Sequence, residues 1–135
     1  MRILIDTNVL ISALVFGGRA GKVMEMLFAR DDTLLVSEYV DREFKEKLES
    51  KWHDKSAVIY ALYRRLPFTF CESAERQSGN LRDKKDIPVL SDALFHNADI
   101  ILTGDRDFLD ADLERPQILS PAMLHDFIAG TAPSL

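Results

Sequence analysis

The chain has 135 residues, 47% hydrophobic and 29% charged, which fits one soluble globular domain with a single core. With 17 basic and 22 acidic residues its formal net charge is −5, which excludes a protein that holds nucleic acid by bulk attraction alone. One cysteine, Cys71, excludes a disulfide framework and a cysteine-rich zinc site, and its setting is that of a strand residue rather than a nucleophile.

No apolar run approaches the roughly 20 residues that span a bilayer. The first residues read at once as a strand, without the basic and apolar segments of a secretory leader. The expectation is therefore a cytoplasmic protein without membrane association. A single domain is expected over residues 1–128, followed by a flexible C-terminal tail, residues 129–135.

Arg2–Ile5 is the first β-prone run. Residues 9–16 are apolar nearly all round, as in a helix buried against a sheet, and Gly17 and Gly18 end it. A second helix is expected over residues 22–30, with Val23, Met26 and Leu27 on one face. A second strand follows at residues 33–36, and Ser37 is a suitable N-cap for the next helix.

That helix carries Val40, Phe44 and Leu48 on one stripe, with Asp41 and Glu46 on its charged surface. Ile59, Leu62, Tyr63 and Leu66 give the i, i+3, i+4, i+7 pattern of another helix, which Pro67 stops. Residues 68–71 read as a third strand and residues 73–86 as a polar loop. Pro88 suits the first turn of a helix running through Val89, Leu90, Ala93 and Leu94. Ile100–Leu102 is a fourth strand, Gln117–Leu119 a fifth, and a last helix lies around residues 123–128. Strands alternating with helices imply right-handed crossovers and a mostly parallel sheet covered on both faces. Sites in such sheets form beyond the carboxyl ends of the strands.

The acids are placed unusually. Asp6 and Asp105 directly follow apolar runs that read as buried strands. Glu43 precedes the core position Phe44, and Asp86 stands at a helix start, where the macrodipole favours a negative charge. Two carboxylates about 5 Å apart repel by roughly 3 kcal/mol at an effective dielectric near 20. A cluster of them makes physical sense around a divalent cation, and oxygen-only ligands suit Mg²⁺ or Mn²⁺.

Each acid also has a plainer reading. Asp6 can cap the helix that follows it, Glu43 can be a solvated helix acid, and Asp86 can be a cap. Asp105 and Asp107 can belong to a turn. Asp83 and Asp92 stand as alternatives to Asp86. His53, His96 and His125 have no zinc-site spacing, and no phosphate-binding loop is present. Arg64, Arg65, Arg82, Lys84, Lys85 and Arg106 supply local positive charge.

Three segments together, "LIDTNVLISAL", "VSEYVDREFKEKL" and "RDKKDIPVLSDALFHNADIILTGDRDFL", make the chain resemble the PIN-domain ribonucleases over residues 2–119. Within that family it is most similar to the short toxin components of toxin–antitoxin systems, the VapC-like group. The resemblance implies a three-layer α/β/α sandwich with a mostly parallel central sheet. It implies an acidic active site of Asp6, Glu43, Asp86 and Asp105 holding Mg²⁺ or Mn²⁺, with Asn8 and Asp107 as supporting or alternate ligands.

The implied activity is metal-dependent endoribonuclease hydrolysis of RNA. The implied partners are an RNA substrate, a cognate antitoxin protein and a second copy of the chain in a homodimer. Met24, Met26, Leu27 and Phe28 form a candidate partner surface that competes with a core role. The alternative is a non-catalytic PIN-fold module that binds RNA or protein. Aspartyl-phosphate chemistry is disfavoured because "DTN" offers one acid where an acid pair is required.

Overall fold

The computed structural model describes residues 1–75, 87–110 and 114–131. Within these residues β1 (Arg2–Ile5), β2 (Thr33–Ser37), β3 (Thr69–Cys71), β4 (Ile100–Leu102) and β5 (Gln117–Leu119) form one sheet. The strand order is β3-β2-β1-β4-β5 and every pairing is parallel. The central strands need apolar side chains on both faces, because helices cover both. Accordingly Ile3, Leu4, Ile5, Leu34, Leu35, Val36, Ile100, Ile101 and Leu102 are all buried. The edge strands are looser, with Thr69 and Gln117 exposed.

The helices are α1 (Thr7–Ile11), α2 (Gly18–Phe28), α3 (Glu38–Lys51), α4 (His53–Arg64), α5 (Ile87–Phe95), α6 (Arg106–Leu109) and α7 (Pro121–Thr131). From β1 to β3 the chain moves across the sheet in one direction, then returns to place β4 on the other side of β1. Right-handed crossovers therefore set α1–α4 on one face and α5 on the other, which makes the three-layer sandwich. β1 and β4 are neighbours from which the chain departs in opposite directions. Their carboxyl ends frame the crevice where open α/β sheets place their sites.

Several elements differ from the sequence pattern. α1 starts at Thr7, earlier than the apolar run, because Asp6 caps it. It continues as a π-helical turn, Ser12–Phe16, which leaves Phe16 71% exposed against the edge of the Trp52 ring. Gly17 then takes φ +79°, a conformation that side-chain-bearing residues rarely adopt, and Gly18 already opens α2.

α4 begins at His53, and Leu62, expected on its apolar face, is exposed, as is Leu94 of α5. Met24 and Leu27 are buried in the core, while Met26 and Phe28 pack at its margin, so that segment serves packing. A short helix, α6, follows "TGD" where the sequence suggested only a turn. α7 runs to Thr131, so residues 129–131 of the expected tail are helical. Among the described residues no helix is long and apolar enough to cross a membrane.

Candidate active site

The site begins where β1 stops. Asp6 still donates its backbone N–H to Leu102 O of β4 at 2.9 Å, so the end of one central strand is locked to the next. With β-region angles it caps α1, its Oδ1 accepting from Thr7 N at 2.7 Å. Its Oδ2 accepts from Thr103 Oγ1 at 2.8 Å and from Asn8 Nδ2 at 3.3 Å. The capping role and a role in a site are therefore served by the same carboxylate.

Asp6 is only 6% exposed. Burial is the main force raising its pKa above 3.8, and the negative charges of Glu43 and Asp105 push the same way. The hydrogen bonds from Thr103 and Thr7 oppose this without cancelling it. This carboxylate thus feels two other acids that arrive from different elements.

Asn8 braces both sides of the crevice. Besides Asp6, its Nδ2 reaches Thr103 Oγ1 at 3.4 Å, and its Oδ1 accepts from Gly104 N at 2.8 Å. Asp105 caps α6, its Oδ1 accepting from Asp107 N at 2.9 Å and Phe108 N at 3.4 Å. Asp107 is exposed, and the contact it gives Asp105 comes from its backbone.

Glu43, whose local sequence fits a solvated helix acid, is half-buried on α3. Tyr39 Oη donates to its Oε2 at 3.4 Å, and Lys47 Nζ lies 4.0 Å from its Oε1. α3 packs on α1, and the negative charge of this acid is felt by Asp6.

The structure thus brings Asp6, Asn8, Glu43 and Asp105 together. Asp86 and its rival Asp83 lie outside the described residues, as do Arg82, Lys84 and Lys85. Asp92 is buried and bonded to Ser73 and Ala74. Arg64 lies over the Phe70 ring at 3.8 Å and beside Asp41 at 3.8 Å. Asp41, expected on a solvated surface, instead accepts from Tyr60 at 3.0 Å and Tyr63 at 2.8 Å.

Thr103 is the residue that sequence reading missed. It is fully buried, donates to Asp6 and accepts from Asp105 N at 3.1 Å. Its signal lies in register: Ile5 pairs with Leu102, so the residues after both strands are neighbours. That register is invisible until the strand order is known.

A divalent cation fits the chemistry of this donor set. The donors are hard carboxylate oxygens, and their mutual repulsion is what a cation would relieve. Among the described residues no three acidic, histidine or cysteine side chains converge tightly enough to enclose an ion.

The fold and the crevice define a class: parallel α/β proteins with carboxylates gathered at the switch point between two central strands. Residues 2–107 match the PIN domain family, and the chain belongs to that family, whose members are generally nucleases. Among solved structures it is similar to a chain in VapBC2 from Rickettsia felis bound to a DNA fragment from their promoter. That match has a TM-score of 0.69 at 15% identity, covering 89% of this chain and 98% of that one. At such identity the likeness concerns the fold. No curated protein matches the chain in sequence.

Proposed function

We propose that this protein is a Mg²⁺- or Mn²⁺-dependent endoribonuclease and the toxin component of a toxin–antitoxin pair. The observation that carries the reading is Asp6, a buried carboxylate at the β1/β4 crevice held under the charges of Glu43 and Asp105. Membership of the PIN domain family supports nuclease chemistry.

Asp6, Glu43, Asp86 and Asp105 are the residues that would hold the cation, with Asn8 and Asp107 in support. When bound there, Mg²⁺ or Mn²⁺ lowers the pKa of water and offsets charge on phosphate oxygens. Thr103 and Asn8 fix the Asp6 carboxylate by occupying Oδ2 from two directions. Glu43, half-buried and held at 3.4 Å by Tyr39 Oη, is suited to orient a water molecule or take its proton. The acids themselves repel an RNA backbone, so the reading requires cleavage to depend on the cation.

Purified protein should cut RNA with Mg²⁺ or Mn²⁺, stop on EDTA, and fall to background as Asp6→Asn. Cleavage that survives Asp6→Asn combined with Asp105→Asn sinks the assignment. Metal-independent RNA or protein binding, without cleavage under any cation, would instead favour a non-catalytic module. The solved VapBC2 complex supports an antitoxin as partner. The reading extends to a cytoplasmic protein that pairs with a second copy of itself. Co-expression with the product of an adjacent small reading frame should yield a stable complex that no longer cuts RNA, and light scattering should give a dimer mass.

A further inference from the structure

Asp92 has no part in the chemistry proposed above, yet it is 1% exposed on α5. A buried carboxylate is costly unless its oxygens are used, and both are. Oδ2 accepts from Ser73 Oγ at 2.9 Å and Oδ1 from Ala74 N at 2.7 Å. Four residues on, just past the end of α5, His96 Nε2 meets the carbonyl oxygen of Glu72. α5 and the turn that ends it therefore grip residues 72–74, the stretch that leaves β3.

That stretch in turn grips the first turn of α3. The first N–H groups of a helix have no partner within it. Ser37, the N-cap, takes Val40 N at 3.4 Å. Tyr39 N goes instead to Ser73 Oγ at 2.8 Å, and Ser73 N returns a bond to Glu38 Oε1 at 3.1 Å. This is a reciprocal cap made by a residue 34 positions away from Tyr39. Its direction depends on Asp92. A serine hydroxyl has one proton, and giving it to an acceptor-only carboxylate leaves the oxygen lone pairs for Tyr39 N–H. Tyr39 then reaches along its own helix to Glu43 Oε2, one turn on.

We propose that Asp92 and Ser73 are positioning residues of the candidate active site, holding the first turn of α3 so that Tyr39 fixes Glu43 toward Asp6. The proposal rests on the nuclease reading, because it assigns Glu43 a part in holding the cation. α5 starts at Ile87, immediately after Asp86, so the same clasp links the helix bearing one proposed ligand to the helix that follows another.

A staple that only adds stability would act on Mn²⁺ binding independently of Glu43. A positioning device acts through it, and a double-mutant cycle separates the two. The measurement is Mn²⁺ affinity by calorimetry on the whole RNA-free protein, with amide exchange at Tyr39 as a second readout. Ser73→Ala should weaken Mn²⁺ binding about tenfold, the usual scale for partners that orient ligands. Tyr39 exchange should accelerate, and Ser73→Thr should restore both. In a Glu43→Gln background, Ser73→Ala should change Mn²⁺ affinity less than about twofold, the sign of a shared pathway.

Asp92→Asn, which keeps the shape but gives Ser73 a weaker acceptor, should follow Ser73→Ala in both backgrounds. Equal losses in the two backgrounds, or none in either, overturn the proposal while leaving the nuclease reading intact. A wild-type protein that binds Mn²⁺ but cuts no RNA overturns the nuclease reading alone. One that binds no Mn²⁺ overturns both.

Discussion

Asp6 is pulled in two directions by its surroundings. Burial and the charges of Glu43 and Asp105 raise its pKa above 3.8, and the bonds from Thr103 and Thr7 only partly offset them. A carboxylate shifted upward favours the folded state fully below its unfolded pKa. That contribution is lost as pH rises through the folded value. The metal-free protein should thus gain stability from Asp6 as pH falls toward 3.8, and Asp6→Asn, which cannot ionise, should lack that component. In EDTA, the melting temperature of Asp6→Asn minus that of wild type should be larger at alkaline than at acidic pH. A pH-independent difference would show that Asp6 is not strained when ionised. Thr103 is tested beside it. Thr103→Val keeps the volume but deprives Asp6 of a donor and Asp105 N of an acceptor. Divalent affinity should fall about 10–100-fold, whereas Thr103→Ser should stay near wild type. Wild-type affinity in Thr103→Val would remove Thr103 from the site.

At the scale of elements, α3 is pinned on several sides, and Asp41 shows how. Its carboxylate accepts from Tyr63 and Tyr60 and faces Arg64, all from α4. Burial, then the bond to Asp41, pushes the Tyr63 phenol well above its usual pKa, so it stays a donor at any working pH. Tyr63→Phe removes one bond to a charged acceptor and leaves the packed ring in place. It should cost about 1.5–3 kcal/mol in urea denaturation with an unchanged slope. A change below half a kilocalorie, about the usual scatter for surface substitutions, would mean Tyr60 and Arg64 suffice. Asp41 also marks the limit of sequence reading. The central strands were legible because a sheet buried on both faces writes itself as Ile-Leu-Ile or Leu-Leu-Val. Asp6 and Asp105 were legible because charge after such a run is conspicuous. Helical periodicity shows which residues can share a face, but not what that face meets. Hence Asp41 read as solvated and is clamped, Leu62 read as core and is exposed, and Glu43, assigned to the site only by resemblance because its local pattern equally fits a solvated acid, is half-buried with its charge felt by Asp6. Thr103 depends on the β1/β4 register, which arises from strand order rather than local sequence.

For the whole molecule the central quantity is charge. A net charge of −5 at neutral pH opposes any RNA backbone, and the crevice concentrates that opposition in Asp6, Glu43 and Asp105. Proteins that hold single strands by counterion release show a salt slope of about −0.7 per phosphate neutralised. Among the described residues, Arg106 follows Asp105 and Lys47 is already 4.0 Å from Glu43. Association should therefore rest on cations bridging acids and phosphates rather than on a basic track. A 2′-O-methyl RNA, checked by gel to stay intact during the measurement and followed by fluorescence anisotropy, should bind wild type with Mg²⁺ or Mn²⁺ and lose most of that affinity in EDTA. With the cation present, the slope against monovalent salt should correspond to about one or two phosphates. Asp6→Asn should bind weakly in both conditions, because the acid that anchors the cation is gone. Tight binding in EDTA with a steep salt slope would instead place the RNA on a basic surface away from the crevice. The acids at the strand ends would then belong to some other chemistry.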